Sequence, residues 1–270
     1  MLPLLLKVTL APALVATATL VARRVGHGAA GMVSGLPVVA APILLIFSVD
    51  EGNRFASAAA AGAVLGIVSL VAFCVVYALV SHRAPTALAL FAGWFAFALG
   101  TALLSDVHVP LAGSVLITAL AISGGYLFFR GRGSPSERSA PGSDLLLWRL
   151  VVTVGMVLAL TAAAQGLSPH LAGLLTPFPI ITAVMAGFTQ SRSGPLAATA
   201  MLGGLVSALF SFLTFFAVLG ALLGHADPVA AYVSATLSTL AVWGLLVWRV
   251  GVSARARPSA AAAQMPLVSR

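Results

Sequence analysis

Gly31, Ser34, Gly35 and Pro37 stand in the order Gly-x-x-Ser-Gly-x-Pro, and 142 positions later Gly173, Thr176, Pro177 and Pro179 repeat the pattern as Gly-x-x-Thr-Pro-x-Pro. Both copies lie inside apolar runs, where these residue types interrupt a helix. Proline removes a backbone donor and clashes with the carbonyl one turn back, while glycine weakens the helix around it. In a bilayer the freed carbonyls and amides survive only against protein or in a wet cavity. Such a pair therefore points to binding chemistry, with unwound backbone and the Ser34 and Thr176 hydroxyls offering partners to a small polar solute near the midplane. These eight residues form the candidate substrate-binding set. The competing reading is that Gly and Pro permit a bend and close packing, with each hydroxyl bonded back to its own helix.

Two cations accompany the pair. Lys7 lies about five residues into the first apolar run and Arg149 opens the equivalent run of the second copy. An ionisable group within a span suggests a gate or an anion-binding point, against the alternative that both side chains snorkel to headgroups. Asp50, Glu51, Asp106, His108, His170, His225 and Asp227 have metal-ligand chemistry but no close ligand spacing, so no metal site is expected and they read as loop residues. No histidine sits deep in a span to activate a serine and no glycine-rich nucleotide loop is present, so an enzyme is not expected, nor a cofactor. Cys74, the only cysteine, reads as a small packing residue.

The elements that must carry these residues follow from composition. The 270 residues are 60% hydrophobic and 7% charged, with a mean hydropathy of +1.10, which predicts an all-α polytopic membrane bundle. Apolar windows give nine candidate spans: 2–22, 31–49, 56–81, 85–104, 109–129, 146–165, 171–189, 195–222 and 229–249. The first reads as a retained helix, because its arginines follow the apolar run instead of preceding it. With nine spans, Arg23, Arg24, Arg83, Arg130, Arg132, Arg138, Arg149, Arg192 and Arg249 share one side, which predicts an outside N-terminus and a cytoplasmic C-terminus in a bacterial-type inner (plasma) membrane. A net charge of +8 placed at helix ends suits anionic lipid headgroups and excludes nucleic acid as the expected partner. Residues 131–145 read as a cytoplasmic linker and 251–270 as a disordered cytoplasmic tail.

The offset of 142 extends well beyond the two interruptions. It aligns Lys7 with Arg149, Gly52 with Gly194, Ser57 with Thr199, Gly62 with Gly204, Val64 with Val206, Ser69 with Ser211 and Phe73 with Phe215, without a gap. Matches of Gly, Pro and hydroxyl residues indicate an internal duplication. Residues 1–104 form repeat unit one, 105–130 a connector helix and 146–250 repeat unit two. Four helices per unit plus one connector make the units run in opposite directions, the inverted arrangement of many secondary transporters.

Several short motifs also carry a family likeness: Leu5 to Lys7, Ala22-Arg23, Ala30 to Pro37 with Ala172 to Pro179, and Trp243. On these residues each unit resembles the short four-helix inner-membrane proteins of the GlpM type, over about a hundred residues. Gly35 departs from the pattern at the first proline of the pair, and Leu44 and Ala186 stand where the family would have a histidine. The resemblance implies a membrane protein with a transport-related role. The expected function is a transporter or permease for an unidentified small molecule, working by alternating access around interrupted helices two and seven. The alternative is a non-transporting membrane subunit that assists another membrane complex. An oligomer or such a complex is an open partner.

Overall fold

The computed structural model describes residues 31–32, 44–45, 47–48, 51–132 and 167–255, the last six of these by backbone alone. All regular structure among the described residues is helical. The expected spans 2–22 and 146–165, most of 31–49, and most of the linker and tail lie outside them.

Helix α1 (Asn53–Ser81) is the centre of the bundle, with Phe73, Cys74 and Tyr77 all fully buried. Helix α2 (Thr86–Leu104) turns back along it, placing Gly93 on Phe73 and Gly100 on Ser69. Helix α3 (Leu111–Phe129) runs parallel to α1, where Thr118 Oγ1 donates to the Val64 carbonyl at 2.8 Å. Both α2 and α3 start after an extended proline, Pro85 or Pro110, whose missing N–H costs nothing at a helix entrance.

The second half of the described chain begins with the seven-residue helix α4 (Pro169–Leu175), then α5 (Ile180–Leu222) and α6 (Pro228–Arg255). At about 1.5 Å per residue a straight α5 would be roughly twice as long as a hydrocarbon core is thick. It does not stay straight, because Gly194 takes φ 82°, ψ 173° in its interior. Gln190 before that glycine donates to the Ser81 and Ala84 carbonyls, and Thr199 after it meets His82. Further on, the Gly220 carbonyl accepts from Ser57 at the other end of α1. The chain therefore reverses at Gly194: the short first arm of α5 runs from the middle of the bundle to the Ser81 end of α1, and the second arm returns along the full length. The expected spans 171–189 and 195–222 are adjacent arms of this reversal, joined without a loop. Asp227 Oδ2 caps the entrance to α6 by accepting from the Ala230 amide at 3.1 Å, a favourable place for a carboxylate.

Among the described residues, five stretches are long and apolar enough to cross a membrane: Asn53–Ser81, Thr86–Leu104, Leu111–Phe129, Pro169–Leu222 and Pro228–Arg249. The outer helices expose apolar stripes at helical spacing, Leu88, Phe91, Phe95, Leu99 and Leu103 on α2 and Val229, Val233, Leu237 and Leu240 on α6. Surfaces of that kind fit lipid contact. Charge is segregated to the two ends. Arg83, Arg130, Arg132 and Arg192 gather where α1 and α3 finish and α5 reverses, while Glu51, Arg54, Asp106 and Asp227 occupy the opposite end.

Candidate functional site

The stretch around Gly173 is built from a cap, a short helix and a break. Ser168 Oγ accepts from the Leu171 amide, and Pro169 follows it, so α4 starts where sequence rules place a helix start. Its last turn carries Gly173. A Cβ added there would overlap the Ala59 carbonyl oxygen of α1. On the facing side, a Cβ at Gly62 would stand 2.6 Å from the His170 carbonyl oxygen, and one at Gly66 would overlap that of Leu174. Gly62 and Gly66, one turn apart on α1, thus form a groove into which the α4 backbone settles, the small-residue packing that membrane helices use for close approach.

The break occupies Thr176–Pro179, and Pro177 touches Gly66 at the midpoint of α1. Its amides are re-satisfied by tight turns: Thr176 N to Gly173 O at 2.9 Å, Phe178 N to Leu175 O at 2.9 Å and Ile180 N to Phe178 O at 2.8 Å. The Phe178 ring stands edge-on to Phe97 at 5.2 Å. Helix α5 then starts inside the bundle, and helix geometry leaves the first-turn amides after Ile180 without intrahelical acceptors. Thr176 Oγ1 donates to Ala172 O at 2.9 Å, and the residue is only 9% exposed. Its hydroxyl is occupied by its own helix, as the competing sequence reading allows. The break is thus formed and closed against α1 in this conformation.

Of the stretch from Gly31 to Pro37, Gly31 and Met32 are described. A Cβ at Gly31 would overlap the Met201 carbonyl oxygen of α5. The next residue, Met32, accepts a 3.1 Å bond from Trp243 Nε1 on α6. Ser34, Gly35, Pro37, Lys7 and Arg149 lie outside the described residues. A relation between the two glycines follows from the numbers alone. Gly173 meets Ala59, Gly31 meets Met201, and both the two glycines and their two partners are 142 residues apart. The two close contacts are thus related by the same offset of 142 residues.

A second correspondence involves backbone conformation. Gly52 at the start of α1 has φ 88°, ψ 164°, and Gly194 has φ 82°, ψ 173°. Each precedes a long central helix. Their buried faces coincide under the same offset, pairing Ala56 with Ala198, Ala59 with Met201, Val64 with Val206, Ile67 with Leu209 and Phe73 with Phe215.

Sequence reasoning passed over Gln190 and Tyr77. The Tyr77 hydroxyl donates to Gln190 Oε1 at 2.6 Å, and Gln190 Nε2 donates to the carbonyls of Ser81 and Ala84 at 3.2 and 3.3 Å. This amide ties the reversal at Gly194 to the end of α1. The available signal was a lone glutamine closing an apolar run. At the other end, His108, an exposed loop residue as expected, stacks at 4.9 Å on His170, which lies in α4 and not in a loop. His170 Nε2 lies 3.3 Å from the Leu104 carbonyl oxygen, so it ties the entrance of α4 to the exit of α2. Among the described residues no cluster of three metal-ligating side chains forms. The chain matches no family model, no curated protein and no solved structure.

Proposed function

We propose that the protein is an inner-membrane transporter for a small molecule, built from two inverted four-helix units around a connector helix, nine helices in all. In this reading α3 is the connector, and alternating access works around the interrupted segments that contain Gly31 and Gly173. The exchanged glycine contacts carry the proposal. In this reading Gly31 and Gly173 each rest on the central helix of the other unit, and Ala59 and Met201 lie towards opposite ends of the bundle. An arrangement of this kind lets one segment loosen from its groove while the other stays seated, the geometry alternating access requires. Support also comes from the matched backbone of Gly52 and Gly194 and from the break at the midpoint of α1. The gathering of arginines at one end favours that end as the cytoplasmic one.

Cysteine accessibility tests the reading. In a Cys74→Ala background, single cysteines replace Ser34 or Thr176 and are exposed to a membrane-impermeant thiol reagent from each side. Alternating access predicts that both positions react, from a side that depends on the imposed solute gradient. Thr176 is buried here, so its labelling requires α4 to leave the α1 groove. If neither cysteine reacts from either side under any gradient, the transport reading fails.

A further inference from the structure

At the arginine end, the last turn of α1, the end of α3 and the second arm of α5 enclose a half-open cavity of about 540 Å³. This volume falls within the range of about 300–1,000 Å³ usual for ligand pockets. Arg83, Arg132, His82 and Thr199 supply its polar lining, and Leu79 and Leu196 its apolar lining. The described carboxylates of Glu51, Asp106 and Asp227 all lie at the far end of the bundle, and the cavity lining includes none.

Its polar groups are held in place. The Arg132 guanidinium sits 4.1 Å from the centroid of the Phe128 ring, and its Nη1 donates to the Phe128 carbonyl. Thr199 Oγ1 gives its one proton to the Pro195 carbonyl at 2.9 Å, so it accepts from His82 Nε2 at 3.1 Å. Those bonds leave several donors of the two guanidinium groups for an incoming anion. Leu79 and Leu196 are 52% and 55% exposed, and Leu79 precedes Arg83 by one helical turn. Cationic groups therefore border an apolar flank that faces the same surroundings as the lipid-contacting stripes.

A freely soluble anion would find the charge but would leave the apolar flank uncovered. An amphiphile uses both. We infer that this cavity is a specific site for an anionic phospholipid, whose phosphate meets Arg83 and Arg132 while an acyl chain lies along Leu79 and Leu196. Charge and shape of this kind mark headgroup sites between membrane helices. The site is separate from the break at Thr176–Pro179 and stands whether or not the transport reading holds.

Native mass spectrometry of the detergent-purified full chain tests it, with phosphatidylglycerol as the probe, phosphatidylcholine as the zwitterionic comparison and inorganic phosphate as competitor. Phosphatidylglycerol should remain bound in preference to phosphatidylcholine. The double variant Arg83→Gln/Arg132→Gln should bind it roughly 30-fold more weakly, the combined worth of two basic groups at a charged membrane surface. Arg54→Gln, at the opposite end, should bind as the unaltered protein does. Unchanged binding in the double variant would overturn the site, as would an equal loss in Arg54→Gln, which would mean diffuse attraction to net charge. Displacement of the lipid by inorganic phosphate would overturn the assignment to a lipid. Unaltered melting of each variant separates loss of the site from loss of the fold.

Discussion

Replacement of Gly194 by alanine isolates what its backbone conformation is worth. Its φ of 82° and ψ of 173° lie in a region populated essentially by glycine, and forcing another residue into it costs about 1–3 kcal/mol. A Cβ built there meets nothing within 4 Å, so neither a clash nor new burial adds to that figure. Alanine also restricts the unfolded chain, which returns about 0.4–1 kcal/mol. The net expectation is a loss of about 1–2 kcal/mol, read from equilibrium unfolding in mixed detergent micelles. Gly52→Ala should lose a similar amount, since its φ of 88° and ψ of 164° pose the same problem and its surroundings are equally open. The two sites lie at opposite ends of the bundle, so their effects should add within about 0.5 kcal/mol. Gly244→Ala provides the contrast in sign. That glycine also meets nothing within 4 Å but lies in the regular helix α6, where alanine should be neutral or stabilising by up to about 1 kcal/mol. A loss at Gly194 that grew with side-chain size from Ala to Leu to Phe would refute the reasoning, because it would reveal a steric contact in place of a backbone constraint. No loss at all would refute it equally.

Gly173→Val and Gly31→Val should each destabilise by at least about 1–3 kcal/mol, since the added groups meet backbone carbonyls that cannot rotate away. Similar losses at the two sites, measured by the same unfolding assay, are expected from the exchanged contacts, and a cost at only one would break the correspondence. Gln190→Leu and Tyr77→Phe should be coupled in a double-mutant cycle by about 0.6 kcal/mol and not more than about 1.7, the range of hydrogen bonds between membrane helices. A purely additive cycle would show that the amide does not need the hydroxyl.

Four of the expected spans meet single helices within a few residues because each apolar run ends at a residue that local chemistry marks. Pro85 and Pro110 open α2 and α3, Asp227 precedes α6, and Gly52 precedes α1. The boundary between spans 171–189 and 195–222 was also legible, but its form was not. Arg192, Gly194 and Pro195 suggest a loop, whereas one glycine in a left-handed conformation is enough to reverse the helix. The Thr176–Pro179 break was readable from its prolines, which leave the backbone no regular alternative. What it would touch was not. Ala59 carries no signal as a partner for Gly173, because an alanine in an apolar run looks the same on every face of a helix. The arginine cavity was hidden for a related reason: Arg83, Arg132 and Thr199 are scattered along the chain, and only the reversal at Gly194 brings Thr199 back to the end of α1.

The exchanged glycine contacts also set an order of assembly. Gly173 emerges from the ribosome long after Ala59, so its groove on α1 is already in the membrane. Gly31 has the opposite fate, since Met201 follows it by 170 residues. At roughly 5–20 residues per second, Gly31 waits about 10–35 s for the helix on which it finally rests. During that interval its glycine surface is open to any other small-residue face in the bilayer. The reciprocal docking also means that neither half completes its own packing, so two halves made as separate chains should be retained in the membrane only when they are produced together.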